Sequence, residues 1–258
     1  RVEEPVLSAA MGDPSLVFAL ESRLVNAWPS FETQLCDGWI LRLAKGYSKR
    51  ANSATPIIAG AAVDDTLIDH LIKQFLKHNV RPTFRLTGLE SPDADAQLAA
   101  RGFDSIEPTF GMITEIETDA WEIDASVTLE ETVSKRWVRE TASSYGGDKA
   151  DDATLMEIVS RIRQPHMFAS LDLDGTNVAW GLGVAERGYV GLYDIVVSPD
   201  LRGLGLGRQI VTSLMAWGRR EGATVAYLQV REENEVARAL YASLGFRDAY
   251  RYTHRVMR

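Results

Sequence analysis

The sequence predicts a mixed α+β protein built on a mostly antiparallel sheet with one parallel crossover. Three observations predict it. The turn pairs Asp37-Gly38, Asp174-Gly175 and Arg187-Gly188 each separate two strand-like runs, as hairpins do. The run 189–197, a helix with Ile210, Leu214 and Trp217 on one face, and the run 225–230 give strand, helix, strand, which in one sheet makes a parallel crossover. The 258 residues suffice for one large or two small domains, and a strand, helix, strand order closes each half.

In chain order, Asp13-Pro14 starts a helix, with an N-cap followed by proline at N1. Leu16, Leu20 and Leu24 repeat at helical spacing until Trp28-Pro29 ends the run. Residues 31–36 and 39–43 read as strands, and 45–56 as a polar loop. Asp64 opens a second helix whose inner face is Leu67, Ile68, Leu71, Ile72 and Phe75. A short strand at 83–86, a short helix at 93–101 leaving through Gly102-Phe103, and a strand at 109–116 complete the first half. Residues 118–124 read as the join. In the second half, 129–145 and 153–163 read as helices, and 168–173, 178–186 and 189–197 as strands. After the crossover helix and its C′ glycine Gly222 come the strand 225–230, a helix from Asn234 to Leu244-Gly245-Phe246, and a last strand.

The stretch Ser198-Pro199-Asp200-Leu201-Arg202-Gly203-Leu204-Gly205-Leu206-Gly207-Arg208 joins a strand to a helix. Its glycines let the backbone approach a ligand, and the helix start adds unpaired N–H groups and the positive end of a dipole. Together these make an anion site suited to phosphate, although a glycine turn after a strand also serves plain geometry. A nucleotide-phosphate loop ending in Gly-Lys-Ser/Thr is excluded by Gly207-Arg208-Gln209, and the dinucleotide pattern fails because Arg208 or Ile210 stands at its last glycine.

What remains, Arg202-x-x-Gly205-x-Gly207, is similar to the pyrophosphate loop of the GNAT superfamily of acetyl-CoA-dependent N-acetyltransferases. Asn234-x-x-Ala237-x-x-Leu240-Tyr241-x-x-x-Gly245-Phe246 resembles the second signature of that family, in the right order and at the right distance. The resemblance covers about 125–258. It implies a three-layer fold with a catalytic domain at 125–258 and, because Leu98-x-x-x-Gly102-Phe103 echoes Tyr241-x-x-x-Gly245-Phe246, a degenerate domain of the same kind at 1–118. In that first domain Leu98 stands where Tyr241 stands, and the counterpart of the glycine loop, around 57–62, has only Gly60.

The resemblance also implies the chemistry. An acetyl group passes from acetyl-CoA to a primary amine of a small molecule or peptide by direct attack. The backbone of Ile195, Val196 and Val197 holds the thioester or its pantetheine arm, in a slot where two strands part. The N–H groups of Gly203, Leu204, Gly205, Leu206, Gly207 and Arg208, with Arg202, hold the pyrophosphate. Asn234 bonds the arm, and Tyr241 is the general acid toward the departing thiolate. As plain structure, Asn234 would be an N-cap and Tyr241 a helix residue packed on the sheet. The base is open. Some relatives carry glutamate where Gln229 stands, and glutamine takes no proton. Asp194 alternates with Ile195 and so points away from the cleft; Glu186 is also acidic. His254, with Tyr250 and Tyr252 at period two, reads first as a strand residue. The loop Lys45-Gly46-Tyr47-Ser48-Lys49-Arg50-Ala51-Asn52-Ser53 packs cations, an aromatic and hydroxyls together. It reads either as a solvated connection or as a functional loop holding part of the acceptor.

Composition narrows the classes. A net charge of −8 argues against a nucleic-acid surface. No apolar run approaches the roughly 20 residues of a membrane helix. Arg1 to Ser15 lacks the apolar core of a signal peptide. The single cysteine, Cys36, precludes an intrachain disulfide, favours a cytoplasmic location and reads as buried filler. His70, His78, His166 and His254 form no metal-ligand spacing, so no metal is expected. A monomer or a homodimer fits. The competing function is a non-catalytic module that binds or senses acyl-CoA, which the intact Tyr241 and Asn234 disfavour.

Overall fold

The computed structural model of the chain describes residues 9–117, 121–145 and 152–258. Its elements are α1 (Pro14–Ala27), β1 (Glu32–Cys36), β2 (Trp39–Leu43), β3 (Ala54–Pro56), α2 (Asp65–Lys77), β4 (Thr83–Leu86), α3 (Ala94–Ala100) and β5 (Phe103–Glu115). Then follow β6 (Val127–Glu130), α4 (Lys135–Ser144), α5 (Asp152–Val159), β7 (His166–Leu173), β8 (Thr176–Glu186) and β9 (Tyr189–Val197). The chain closes with α6 (Leu206–Arg220), β10 (Val225–Arg231), α7 (Glu235–Ser243) and β11 (Arg247–Met257).

These elements form two compact units. Unit 1 takes the described residues up to Met112, with Val230–Ala239 and Arg247–Arg258; unit 2 takes Ile113–Gln229 and Leu240–Phe246.

In unit 1 the strands run in the order β1-β2-β3-β4-β11-β5. The chain's last strand thus pairs antiparallel with β4, Thr253 opposite Leu86 and His254 opposite Arg85. Asp13 caps α1 as its sequence requires, its carboxylate accepting from the N–H groups of Ser15 and Leu16. The turn Asp37-Gly38 has the two positive φ values, 45° and 86°, of a tight hairpin. Side chains alternate across a strand. One face of the sheet carries Leu41, Leu43, Phe84, Leu86 and Phe103, packed with Leu67, Ile68, Leu71 and Phe75 of α2 and Leu98 of α3. The alternate positions Arg42, Arg85, Tyr250, Tyr252 and His254 are also buried, which makes the other face a polar layer.

In unit 2 the order is β10-β9-β8-β7-β6. The pair β9–β10 is parallel, as the crossover predicts, and the rest are antiparallel. Helix α6 lies tightly on the sheet because glycine stands at the contacts. A Cβ on Gly218 would meet Val190 at 2.6 Å, and one on Gly183 would meet Leu214 at 3.0 Å. On the other face Trp137 of α4 packs edge-on against Phe168 of β7, 5.0 Å between ring centroids.

Three differences from the sequence reading have local causes. Ala54–Pro56, read as loop, is a strand too short to show alternation; β2 and β4 recruit it on either side. Val127–Glu130, where a helix was expected to begin at Leu129, is an edge strand against β7, and α4 begins only after its N-cap Ser134. β5 begins at Phe103, not Thr109, because the strand continues straight out of the Gly102 cap. Part of the join expected at 118–124 lies outside the described residues.

Candidate active site

The site is built where β9 hands over to α6. Pairing of β9 with β10 runs from Tyr189–Val225 to Leu192–Leu228 and stops, while β9 continues to Val197. Ile195, Val196 and Val197 are half-buried along that freed edge, still held on the other side by β8, Val196 opposite Trp180 and Val197 opposite Ala179.

The register between β8 and β9 slips between Trp180 and Leu182, so Gly181 faces both Asp194 and Ile195. This is a bulge, and Asp194 has the positive φ, 48°, that such a kink needs. Gly181 is required there, since a Cβ would meet Ile195 at 2.6 Å and Ile210 at 2.9 Å. The Trp137 indole N–H donates to the Gly181 carbonyl at 3.2 Å. The simple alternation expected of Asp194 therefore fails. Its carboxylate turns to the end of α4, where the Tyr145 hydroxyl donates to it.

A short 3-10 turn, Pro199–Leu201, then leads into the glycine loop. Gly203 and Gly205 have φ of 81° and 83°, the left-handed region. Gly207 is different: its φ is ordinary, and a Cβ there would make plain van der Waals contacts, 3.4 Å from Leu240 and 3.5 Å from Val197. Among the described residues, the N–H groups of Gly203, Leu204 and Gly205 donate to no backbone carbonyl, and those of Leu206, Gly207 and Arg208 open the first turn of α6, where no intrahelical partner exists. That turn carries no acidic residue, so the positive end of the dipole is uncompensated. Arg202 and Arg208 are exposed on either side. Leu204 is exposed beside them, while Leu206 turns into the core.

The Tyr241 segment meets this loop within unit 2. Leu240 lies against Gly207, and the Arg208 guanidinium donates to the Ser243 hydroxyl at 2.6 Å. Tyr241 is fixed by the way α7 ends. Phe246 N–H returns to the Tyr241 carbonyl at 3.0 Å and Gly245 N–H to Ala242 at 3.0 Å, with Gly245 at φ 86°. This is a Schellman cap, and its apolar contact is the Tyr241–Phe246 ring pair at 5.9 Å. Burial pushes the Tyr241 phenol up to about 12.

Other expected residues lie elsewhere. Asn234 belongs to unit 1 and is exposed at the start of α7, its side-chain oxygen accepting from Ala237 N–H at 3.2 Å as a cap does. Gln229 is half-buried on β10. Glu186 pairs with Tyr189 at the opposite end of β9 and binds Arg187. His254 is buried in unit 1, where desolvation, Arg85, Lys49 and Arg231 hold it well below the usual imidazole value and therefore neutral. The bulge was missed by pattern reading; its trace in the sequence is Gly181 among bulky strand neighbours.

A model of the family described as "Probable histone acetyltransferase Rv0428c C-terminal" matches residues 15–255. The chain belongs to this family. It is a GNAT-type protein by relatives as well. The "Uncharacterized N-acetyltransferase YobR" of Bacillus subtilis is 26% identical over 243 residues, covering 93% of this chain and 98% of its own. The "Probable histone acetyltransferase Rv0428c" of Mycobacterium tuberculosis is 27% identical over 256 residues, 94% of this chain and 74% of its own. The GNAT fold is shared with a GCN5-related N-acetyltransferase from Kribbella flavida (TM-score 0.66, 16% identity, 96% of each chain). It is also shared with a tandem GNAT protein from the clavulanic acid biosynthesis pathway (TM-score 0.58, 17% identity, 96% and 89%). No helix among the described residues is long and apolar enough to cross a membrane.

Proposed function

We propose that this GNAT protein transfers an acetyl group from acetyl-CoA to a primary amine, using the β9–α6 junction and Tyr241 of unit 2. The observation that supports the reading is the meeting of the two signature segments: Leu240 approaches Gly207 and Ser243 accepts from Arg208, both on the helix that carries Tyr241. The residues fit the cofactor. Inward-free N–H groups from Gly203 to Arg208 suit a pyrophosphate, and the freed edge of Ile195–Val197 suits an amide-bearing arm. When bound, acetyl-CoA supplies a thioester carbonyl. Tyr241, kept protonated by burial, gives the thiolate its proton. Asp194, the carboxylate the bulge sets beside the parted edge, takes the proton from the amine. The acceptor class is supported by a shorter match. The "[Ribosomal protein bS18]-alanine N-acetyltransferase" of Escherichia coli is 41% identical over 58 residues, 22% of this chain and 39% of its own.

Unit 1 holds no equivalent slot in this reading. Where β3 leads toward α2, Ala61 forms a parallel bridge with Glu90, its N–H on the Leu89 carbonyl at 3.1 Å and its carbonyl accepting from Ser91 N–H at 2.8 Å. That ladder closes the corresponding gap, and Leu98 offers no proton. The chemistry is therefore assigned to unit 2 alone.

Calorimetry of acetyl-CoA against wild type and Gly205→Arg, followed by thiol release with an amine panel, tests the proposal. Binding by the wild type should be lost in the variant. Tyr241→Phe and Asp194→Asn should keep binding and lose about a hundredfold or more in turnover. Binding without turnover on any amine would favour the sensing module. No binding by a folded wild type would overturn the assignment.

A further inference from the structure

The polar layer of unit 1 contains more than a strut. Arg85, 1% exposed, grips the Glu21 carboxylate through Nε at 3.0 Å and Nη2 at 2.7 Å. The Tyr250 hydroxyl donates to the same carboxylate. Arg85 also lies over the Tyr252 ring, 3.5 Å from its centroid, and Tyr252 meets His254 edge-on at 5.5 Å. His254, 4% exposed, stands directly opposite Arg85 in the β4–β11 register. Beyond it, Glu107 holds Lys49 at 3.1 Å and Arg231 at 2.9 Å, and its carboxylate is 3.9 Å from His254 Nδ1, too far for a hydrogen bond. These three outer side chains are partly exposed, so the row runs from solvent inward.

Two features of this row ask for a ligand. Arg85 Nη1 and both ring nitrogens of His254 are buried with no hydrogen-bond partner among the described residues, which is costly for such groups. The buried charges also do not cancel: Arg85 and Arg42 have the one carboxylate of Glu21 between them, whereas Lys49 and Arg231 are matched by Glu107 and Glu233. The loop carrying Lys49 is pre-organised. Buried Asn52 accepts from Ala44 and Gly46 N–H at 2.6 and 2.9 Å and donates to the Ser48 carbonyl at 2.8 Å, and the Trp28 indole donates to Ser48 Oγ at 3.0 Å. This is the cationic, aromatic loop that stood out in the sequence.

We propose that unit 1 carries a second binding site, for a small carboxylate, held by Arg85 Nη1 and the His254 imidazole and entered past Lys49 and Arg231. One excess positive charge suits a monoanion, and a guanidinium nitrogen beside an imidazole N–H suits the two oxygens of a carboxylate. The site is separate from the acetyl-transfer reading and does not depend on it.

The test titrates the full chain, at constant ionic strength, with acetate, lactate, succinate and inorganic phosphate, following the imidazole resonances of His254 by NMR. A saturating shift of His254 with a carboxylate is expected, weakened by about tenfold in His254→Phe, read there by calorimetry, and severalfold in Lys49→Gln. Tyr241→Phe should bind the carboxylate as wild type does. His254→Phe could lose the fold, but Lys49→Gln changes only a partly exposed side chain and keeps the test decisive. No saturable shift with any carboxylate overturns the proposal. So does wild-type affinity in Lys49→Gln, or binding of phosphate in preference to every carboxylate.

Discussion

Tyr241 draws its properties from the residues that end its helix. Gly245 must be left-handed for the Schellman bonds to form, and Phe246 then folds onto the Tyr241 ring. Burial raises the phenol from the usual value near 10 to about 12. Its folded pKa lies above the unfolded one, so the contribution to stability is complete below about pH 10 and is lost as pH climbs through about 12. The full effect is about 3 kcal/mol at most. Urea midpoints should therefore fall from about pH 8 to about pH 11 by more in the wild type than in Tyr241→Phe. A larger fall in the variant would contradict the buried phenol. Much at this scale was legible in the sequence, because Gly203, Gly205 and Gly245 announce backbone angles that only local rules govern. Asp194 was not legible. Its direction depends on Gly181 of a neighbouring strand, and alternation along β9 alone points it the wrong way.

Among elements, α6 shows how packing overrules propensity. Alanine at Gly218 would favour the isolated helix by about 1 kcal/mol. The same methyl would meet Val190 Cβ at 2.6 Å, with backbone of a central strand behind it. Overpacking of that kind costs about 1–3 kcal/mol, so Gly218→Ala should lower the melting temperature, and adding Val190→Ala should restore part of the loss. A melting temperature raised by Gly218→Ala alone would show that α6 can lift off β9. Long elements with strong periodicity, α2 and β9 among them, were readable from spacing. The short edge strands β3 and β6 were not, since three or four residues become a strand only when a neighbour supplies the hydrogen bonds. Arg42 is similar: buried, it donates to the Trp28, Val25 and Arg50 carbonyls near the end of α1, a cap that no spacing rule reveals.

At the scale of the whole chain, the two units do not follow the midpoint of the sequence. Unit 1 includes Arg247–Arg258, and its β4 finds a partner in β11. Composition shows that two units fit in 258 residues, but which strand completes which sheet is a long-range choice that local pattern does not encode. A fragment of residues 1–118 would expose the β4 edge and strip the cover from Arg85. It should aggregate or give a poorly dispersed NMR spectrum, whereas the same fragment fused by a short linker to residues 244–258 should gain dispersion. A well-folded 1–118 fragment would show that β11 is dispensable to unit 1.

The late position of β11 also sets a timetable. His254 lies opposite Arg85, so the ribosome must make nearly the whole intervening chain before that pair can form. At typical synthesis rates this is a wait of roughly ten to thirty seconds. During it β4 has no β11 to pair with, so a stop codon before residue 247 would leave Arg85 without its opposite strand.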